Sequence, residues 1–379
     1  MAIRTIKKFL FLEPFYGGSH RAFADGLVAH SRMPIQLMTM PARFWKWRMR
    51  GAALHFARKV ADPNAYAGLI TTDLVSLADL RALWGAACPP ALVYFHENQL
   101  SYPLPPGETM DYQFAFTDIT TGLAADRILF NSFTHRDSFF RDLKKFLKIL
   151  PDFRPGWVID RIGDRSGVLH PGCEFPSGPA DLAPRDPTKP PLIIWNHRWE
   201  FDKQPEFFFA ALDGVRARGR EFRLALLGEN FQFVPKEFLA ARERFGGRIV
   251  KYGYEEDRQA YLGWLRQGSV VISTALQENF GISVVEAIRH GCFPLLPRRL
   301  SYPELLEERF HPLCLYRDLE DLVEKLAVLL ADPGNVGSHR GELASSMERF
   351  AWDRLIDRFD AELEALAGLP VRALADSKG

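Results

Sequence analysis

Short runs of apolar residues alternate along the chain with segments whose apolar positions recur at helical spacing. Five such runs lie in the first part of the chain: KFLFLE (8–13), PIQLMTM (34–40), AGLITTD (67–73), ALVYFHE (91–97) and RILFNS (127–132). Brief apolar runs bounded by polar residues predict buried strands, and strands that alternate with helices predict a parallel sheet. The pattern therefore predicts an α/β domain at the start of the chain.

A proline-rich segment without periodicity, PSGPADLAPRDPTKPP (176–191), predicts a linker. Five further strand-like runs follow it: PLIIWNHR (191–198), RLALLGE (223–229), RIVKYGY (248–254), VVISTAL (270–276) and FPLLP (293–297). We therefore expect two Rossmann-like domains, 1–178 and 186–348, and a C-terminal helix within 349–379 that could pack back on the first domain. In such a pair, we expect the ligand between the carboxyl ends of the two sheets.

The amino-acid composition excludes several classes of protein and site but does not indicate a function. The length of 379 residues suits two domains, and the net charge of +1 means that any basic site must be local. Four cysteines without Cys-x-x-Cys spacing indicate neither a zinc site nor a redox pair. No apolar stretch approaches the about 20 residues of a membrane span, and the apolar run near the start is too short for a signal peptide. We expect a cytoplasmic protein that does not associate with membranes.

The stretch QENFGISVVEAIRHGCFPLLP is the strongest candidate for chemistry, because Glu278 and Glu286 flank the start of a predicted helix. The backbone amides of Asn279, Phe280 and Gly281 would lie at the amino end of this helix, where an anion or hydroxyl groups can bind. The alternative is a capping acid followed by a solvated helical glutamate.

A second candidate is NHRWEFDKQPE, in which Arg198 is expected to end a strand and Lys203 to begin a helix. Two cations at this place could stabilise the negative charge of a departing diphosphate. An ordinary arginine at a strand end and a solvated lysine are the alternative.

Two further candidates follow predicted strands in the first domain. Gly17 and Gly18, in EPFYGGSH, would let the backbone approach a phosphate or a sugar, although most such glycines only make a turn. His96, in YFHENQLSYP, lies with Glu97 at the end of the fourth predicted strand, where a capping or core histidine is the alternative. No Gly-x-Gly-x-x-Gly and no Asp-x-Asp occurs, and no His/Glu group has metal-ligand spacing. We therefore expect neither a cofactor nor a metal.

The segment PARFWKWRMRGAALHFARK (41–59) combines cations with tryptophans and contains no acidic residue. Cations neutralise phosphates and tryptophans stack on unpaired bases, which makes the segment a candidate RNA-binding surface. The candidate contacts are Arg43, Trp45, Lys46, Trp47, Arg48 and Arg50. A surface loop held by its tryptophans is the alternative. A second basic run, 141–155, is interpreted as a helix with a solvated face or a further RNA contact.

The Glu-x7-Glu and Arg-x4-Lys spacings resemble those of retaining glycosyltransferases with the GT-B fold, of the group-1 or family-4 type. The resemblance implies that Glu278 and the following amides hold the donor sugar, and that Glu286 binds the nucleotide ribose. It further implies that Arg198 and Lys203 replace a metal, and that His96 contacts the sugar near the reacting carbon. Gly17 and Gly18 match the family's glycine-rich loop, which faces the donor.

The stretches FLEPFYGGSH, WRMRGAALHF, FHENQLSYP, FNSFTHRDSF and KILPDFRP resemble a narrower group, the tRNA-queuosine α-mannosyltransferase family. This resemblance implies transfer of mannose from GDP-mannose to queuosine in a tRNA anticodon. Two alternatives stay open: the same fold acting on a lipid or glycan acceptor, and a sugar-nucleotide or RNA-binding module without turnover. The donor sugar, its nucleotide base, the tRNA and the oligomeric state are not determined by the sequence.

Overall fold

The computed structural model describes residues 7–105, 107–175, 178–180, 182, 184–229 and 234–368. Its contacts divide the chain into two compact units. The first unit joins Met1–Glu174 to Phe350–Gly379, and the second comprises Phe175–Arg349. The last helix of the chain thus belongs to the first unit. Residues 176, 177, 181 and 183 of the predicted linker lie outside the described residues.

The first unit is built on a six-stranded parallel sheet with the strand order β2-β1-β3-β4-β5-β6. Its strands are β1 (Phe9–Tyr16), β2 (Ile35–Pro41), β3 (Gly68–Thr72), β4 (Ala91–Phe95), β5 (Arg127–Phe130) and β6 (Ser166–Val168). Its helices are α1 (Gly18–His30), α2 (Trp45–Lys59), α3 (Leu77–Trp84), α4 (Tyr112–Ala124), α5 (Phe133–Ile149), α6 (Trp157–Gly163) and α15 (Trp352–Leu366).

Each face of this sheet carries its own apolar core, because successive side chains of a strand point to opposite faces. Along β1, Leu10 and Leu12 join the core that α2 to α6 cover, whereas Phe9 and Phe11 join the core that α1 and α15 cover. Strands buried on both faces have to be apolar throughout, which explains the continuous apolar runs of the sequence.

Helix α15 closes the first unit from the far end of the chain. Trp352 packs so tightly that a Cβ atom at Gly26 would lie 2.0 Å from its ring, and one at Gly172 would lie 2.1 Å away. The buried Asp360 accepts hydrogen bonds from Ser31 Oγ (2.5 Å) and from the Arg32 amide (3.1 Å). Apolar packing and a satisfied buried carboxyl therefore both attach α15 to α1.

The second unit contains another six-stranded parallel sheet, with the strand order β12-β11-β10-β7-β8-β9. Its strands are β7 (Leu192–Trp195), β8 (Arg223–Leu226), β9 (Ile249–Tyr252), β10 (Val270–Ile272), β11 (Phe293–Pro297) and β12 (Leu315–Tyr316). Its helices are α7 (Pro205–Ala217), α8 (Lys236–Phe245), α9 (Arg258–Gln267), α10 (Ile282–Arg289), α11 (Tyr302–Leu305), α12 (His311–Cys314), α13 (Leu319–Ala331) and α14 (Pro333–Ser346).

All ten predicted strands are confirmed, and the sequence missed two others. The missed strands, β6 and β12, have three and two residues and lie at the sheet edges, so they lack a detectable pattern. No helix in the described part of the chain has the length and apolarity needed to cross a bilayer. No disulfide joins the four cysteines.

Candidate functional site

In the second unit, the loop between β10 and α10 carries Glu278 and ends at Gly281, the N-cap of α10. Gly281 has φ +101°, a left-handed conformation that glycine adopts without strain. The Ser301 hydroxyl donates to the carbonyl oxygens of Phe280 (2.8 Å) and Glu278 (3.3 Å). Phe280 is 3% exposed, so its side chain is not available to a ligand. The loop is thus held in place at the amino end of α10.

Lys203 is the buried cation of this loop. Its Nζ donates to the Gln277 carbonyl at 2.6 Å and lies 3.2 Å from Asp202 Oδ2 and 3.5 Å from Glu278 Oε2. Burial alone would lower the pKa of Lys203, but the carboxylates of Glu278 and Asp202 raise it above its ordinary value. Lys203 therefore stays charged, and its ammonium positions Glu278.

Two details of the second predicted motif are wrong. Arg198 lies three residues beyond the end of β7, and Lys203 ends a short 3₁₀ turn, two residues before α7 begins. The alternative of a solvated lysine is also wrong, since Lys203 is 7% exposed. Arg198 is exposed and lies 3.2 Å from Glu200. Of the two predicted diphosphate-binding cations, Arg198 is thus the accessible one.

Glu286 lies on α10 and is 7% exposed, so its interpretation as a solvated glutamate is wrong. Arg258 forms an ion pair with one oxygen, and the Tyr261 hydroxyl donates to the other at 3.3 Å. Asn196 Nδ2 lies 3.1 Å from the same hydroxyl and donates to the Ser283 carbonyl at 2.7 Å. Sequence reasoning assigned no role to Arg258, Tyr261 or Asn196, because all three lie far from Glu286 along the chain. Asn196 begins the NHRWEFDKQPE stretch, but only its Arg198 and Lys203 were singled out.

In the first unit, Gly17 and Gly18 connect β1 to α1. A Cβ atom at Gly17 would lie 2.4 Å from Ala42 Cβ, and Gly18 has φ +50°. A close approach and a left-handed backbone therefore each require glycine here. The turn alone accounts for both residues, whether or not a ligand also binds there.

His96 follows β4 and belongs to a buried group with Glu13 and His20. The ring centroids of His20 and His96 lie 4.1 Å apart, and His20 Nδ1 lies 3.3 Å from Glu13 Oε2. One potential ligand atom from each of the three lies within 4.8 Å of the others, a spacing that could hold a metal ion. The statement that no His/Glu group has such spacing is therefore wrong for the folded chain, which joins residues from β1, α1 and the end of β4.

The histidines of this group have opposite pKa shifts. Burial alone would lower the pKa of His20. The negative charges of Glu13, Asp73 and Glu97 outweigh this effect, with Glu13 contributing most, and raise the pKa of His20 to about 9. Burial, and then the charge of His20, lower the pKa of His96 well below its ordinary value. At neutral pH, His20 is thus cationic and His96 neutral. A metal ion could bind His20 only by displacing its proton.

Two further acids that sequence reasoning missed surround this group. Asp73 follows β3 and accepts a hydrogen bond from the His96 amide at 2.8 Å. Asp118, on α4, accepts one from the Gln99 amide at 2.6 Å. Burial raises the pKa of both carboxyls. Asp73 could have been found from the sequence, because it ends the strand-like run AGLITTD and the carboxyl ends of parallel strands meet at one edge of the sheet. Asp118 lies on a helix and left no such signal.

The basic segment is helical, so its interpretation as a surface loop is wrong. Trp45 packs on Phe114 of α4, with ring centroids 5.2 Å apart, whereas Trp47 is 76% exposed. Residues two apart on a helix face different directions, so the helical phase separates the two tryptophans. Trp47 is the tryptophan that can reach a partner.

The cations of α2 and its preceding turn are a second feature of this segment. Within the described residues, no carboxylate lies at ion-pair distance from Arg43, Lys46, Arg48, Arg50, Arg58 or Lys59. Arg48 donates to the Pro41 carbonyl at 3.2 Å, and Arg50 donates to Thr117 Oγ1 at 3.0 Å. This surface therefore keeps its positive charge.

The second basic run differs, because it carries its own acid. On α5, Asp142 pairs with Arg141 (2.6 Å) and with Lys145 (2.8 Å). Phe146 and Leu147 of this helix are buried in the core. Of the two basic segments, α2 is thus the stronger candidate for binding a polyanion.

Comparison with known proteins identifies the families and the fold that this chain resembles. A family model described as tRNA-queuosine alpha-mannosyltransferase N-terminal matches residues 8–173, and one described as Glycosyl transferases group 1 matches residues 183–350. The solved structure of sucrose-phosphate synthase from Thermosynechococcus elongatus superposes with a TM-score of 0.69 at 14% identity, covering 95% of this chain and 99% of that chain.

Two curated relatives have informative names. The tRNA-queuosine alpha-mannosyltransferase of Drosophila melanogaster is 35% identical over 91% of this chain and 92% of its own length. A GDP-mannose:cellobiosyl-diphosphopolyprenol alpha-mannosyltransferase of Xanthomonas oryzae is 21% identical over 47% of this chain and 48% of its own length.

Two six-stranded parallel sheets, each covered by helices, form the GT-B fold, and the chain is a glycosyltransferase. The predicted fold class is confirmed, and the interpretation as a binding module without turnover is set aside. Within that class, the chain belongs to the tRNA-queuosine α-mannosyltransferase family, because its similarity to the Drosophila enzyme spans nearly the whole of both chains.

Proposed function

We propose that this enzyme transfers mannose from GDP-mannose to queuosine in the anticodon of a tRNA, with retention of configuration and without a metal. The acceptor follows from the family and from the name of the Drosophila relative. The donor is supported by the same name and by that of the Xanthomonas relative, which includes GDP-mannose. Because tRNA is the proposed acceptor, we place the reaction in the cytoplasm.

The observation that carries the proposal is the contact of Lys203 with Glu278 in the second unit, 3.5 Å between Nζ and Oε2. We assign Glu278 and the amides of Asn279, Phe280 and Gly281 to the hydroxyl groups of the donor sugar. A carboxylate held in one orientation by a buried ammonium can accept hydrogen bonds from sugar hydroxyls with little loss of side-chain entropy.

The nucleotide and its diphosphate would bind beside the same loop. We assign Glu286 to the ribose, whose hydroxyls would donate to its carboxylate alongside Tyr261. Arg198 and Lys203 would stabilise the negative charge that develops on the leaving diphosphate. Gly17 and Gly18 would allow close approach to the donor, and the neutral imidazole of His96 would orient the sugar.

In the proposed step, an acceptor hydroxyl forms the new glycosidic bond on the face from which the diphosphate leaves. Its proton passes to the departing phosphate oxygen, so no metal and no resident cofactor is required. Transfer by protein treated with a chelator would support this. Loss of transfer that only an added divalent cation restores would contradict it.

The decisive experiment is transfer to a defined acceptor. The purified protein is incubated with queuosine-containing tRNA and, separately, GDP-mannose, UDP-glucose or UDP-galactose, and the nucleosides are analysed by mass spectrometry. We expect one added hexose on queuosine with GDP-mannose alone, and its release by an α-specific mannosidase. The same tRNA with guanosine in place of queuosine is the control. Transfer to neither tRNA, or equal transfer to both, would contradict the proposed acceptor.

We further propose that the α2 surface binds the tRNA backbone and one unpaired base. Its cations have no acidic partner among the described residues, and Trp47 is exposed among them. Phosphate neutralisation predicts that the logarithm of tRNA affinity falls linearly with the logarithm of salt concentration. Replacing Lys46 and Arg50 by glutamine should make that slope shallower by about one for each phosphate that is no longer neutralised.

The matched control for this surface is Lys236→Gln on α8, since Lys236 is an exposed cation of the second unit. We expect this control to leave the salt slope unchanged. An unchanged slope in the Lys46→Gln, Arg50→Gln double variant would assign the tRNA contact to another surface. Binding to anionic liposomes that exceeds binding to tRNA would instead favour a lipid acceptor.

A further inference from the structure

The first unit buries more acid than base at the edge where β1, β3 and β4 end. Glu13 and Asp118 are 0% exposed and Asp73 is 1% exposed, while Glu97 is half-buried. The side chain that supplies positive charge among them is His20, which contacts Glu13 at 3.3 Å. Burying several carboxyl groups is costly unless counter-charges or hydrogen bonds compensate for the loss of hydration.

A second observation indicates that this group is incomplete. Asp118 Oδ1 and Asn98 Nδ2 belong to side chains that are 0% exposed, and neither atom has a hydrogen-bond partner among the described residues. Leaving a buried polar atom unsatisfied costs about 1–3 kcal/mol, a cost that a bound water or ligand with a suitable polar group removes. One is an acceptor and the other a donor, which suits a ligand that has both kinds of group.

These two side chains cannot simply turn to solvent. Asp118 Oδ2 accepts from the Gln99 amide at 2.6 Å, and Asn98 Oδ1 accepts from the amides of Leu100 (3.1 Å) and Ser101 (2.9 Å). Their bonded oxygens thus hold the turn after β4. This leaves an unsatisfied acceptor and an unsatisfied donor on side chains that are anchored to the turn after β4.

The chemistry favours an organic ammonium over a metal ion as the missing partner. The three groups with metal-ligand spacing include His20, which holds a proton in its contact with Glu13. A metal would have to displace that proton, whereas an ammonium donates hydrogen bonds to carboxylates directly. Burial raises the pKa of Asp73 and Asp118, and a bound cation would act in the opposite direction by stabilising their charged forms.

On the proposed function, the acceptor has such a group. The side chain of the queuosine base carries a secondary amine, protonated at neutral pH, next to a cyclopentene diol. We propose that Asp73, Glu97 and Asp118, together with Asn98, recognise this ammonium and its neighbouring hydroxyls, and that they select queuosine over guanosine. This inference rests on the proposed function and adds the residues that read the modified base.

The test compares the affinity of the protein for one tRNA that carries either queuosine or guanosine at the modified position. Wild type should bind the queuosine form about 10- to 100-fold more tightly, the range expected for a hydrogen-bonded charge. Asp73→Asn and Asp118→Asn remove a group that a bound cation could ionise, while keeping an oxygen that can accept from the backbone amide. Each should reduce that ratio at least tenfold and leave affinity for the guanosine form unchanged.

The control is Asp137→Asn, an exposed acid of the same unit, which should keep the full ratio. If Asp73→Asn and Asp118→Asn fold with an unchanged melting temperature and keep the ratio, the inference is overturned. Should they not fold, inhibition of wild type by the free queuosine nucleoside is compared with its N-acetylated form, which is neutral. Equal inhibition by the two would overturn the inference, and weaker inhibition by the neutral form would support it.

Two further outcomes separate the possible explanations. Wild type that transfers no hexose to queuosine tRNA contradicts the proposed function, whereas active variants with intact selectivity contradict this inference alone. Retention of one equivalent of Zn²⁺ or Mn²⁺ that His20→Gln abolishes would assign the acid group to a metal and overturn the ammonium site.

Discussion

In the second unit, the buried Lys203 lies among Asp202, Glu278 and the Gln277 carbonyl, whereas in the first unit Glu13, Asp73 and Glu97 share the cation of His20. Both networks have more acid than base. In the first, the cation lies within 3.5 Å of both carboxylates, whereas the second also adjoins Asp118 Oδ1 and Asn98 Nδ2, buried atoms that lack a hydrogen-bond partner among the described residues.

The difference separates two ways in which a buried charge can serve binding. A paired network holds its side chains in place before a ligand arrives, which lowers the entropic cost of binding. An acid-rich network favours a cationic ligand, because the bound cation supplies the missing counter-charge. Three predictions test this contrast and a fourth concerns the exposed α2 surface, in order from the largest expected effect to the smallest.

Lys203→Met should be the most damaging of the four changes. Removing one partner of a buried ion pair typically costs about 3–5 kcal/mol, because the remaining carboxylates lose their compensation. Chemical denaturation should reveal this loss, and hexose transfer should fall to background. Lys236→Met, at an exposed cation, is the control. A loss below about 1 kcal/mol would mean that Lys203 does not compensate these carboxylates in the folded chain.

The first unit should make stability depend on pH. The pKa of His20 is raised to about 9 from an ordinary value of 6.5, so the folded chain holds a proton that the unfolded chain releases between these values. The contribution of His20 to the free energy of unfolding should therefore be fully present below pH 6.5 and be lost as the pH rises from 6.5 toward 9, by up to roughly 3 kcal/mol.

Denaturation curves at several pH values measure this dependence. His20→Gln should flatten it, because glutamine does not titrate. A wild-type stability that stays level or rises between pH 7 and 9 would show that His20 is not held as a cation in the folded chain.

Matched aspartate changes compare the two networks directly. Asp202→Asn should destabilise by about 1–3 kcal/mol, since it removes a charge that compensates Lys203. Asp118→Asn should be near neutral or stabilising without ligand, because burial already disfavours the charge of Asp118. Thermal denaturation of both variants at a mildly alkaline pH provides the comparison. Equal losses would remove the distinction between a paired and an acid-rich network.

Trp47→Ala should have the smallest effect on stability, within about 0.5 kcal/mol, because the side chain is 76% exposed. Affinity for tRNA should nevertheless fall, by about 1–3 kcal/mol if the indole stacks on a base. Trp45→Ala should destabilise by more, since Trp45 packs on Phe114. If Trp47→Ala binds tRNA like wild type, the exposed indole does not contact RNA.

The local sequence pattern was sufficient to predict the strands of both sheets, but it did not predict most of the polar contacts at the ends of those strands. A strand buried on both faces needs an unbroken apolar run, and all ten predicted runs form strands. The eight-residue spacing of Glu278 and Glu286 was likewise visible, because a strand-end loop and the next helix are adjacent in sequence. Arg258 pairs with Glu286, and Asn196 contacts the Tyr261 hydroxyl beside it. Both come from segments far from Glu286 along the chain, so the sequence near Glu286 did not indicate these contacts.

The contrast between Trp45 and Trp47 has the same origin. Both were reasonable RNA contacts in a basic segment, and the helical phase of α2 decides that one is packed and the other exposed. The absence of acid in this segment was a sequence property, and only the fold could show that no acid from elsewhere in the described chain approaches the cations.

The sequence by itself determined the two-sheet α/β architecture, the Glu-x7-Glu loop and the basic segment, because each depends on residues close together in the chain. Tertiary structure alone decided that Lys203 is buried, that α15 completes the first unit, and that Glu13, His20, Asp73, His96 and Asp118 meet. The physical reason is that a parallel sheet collects the ends of strands far apart in sequence at one edge, where burial strengthens the interaction of their charges.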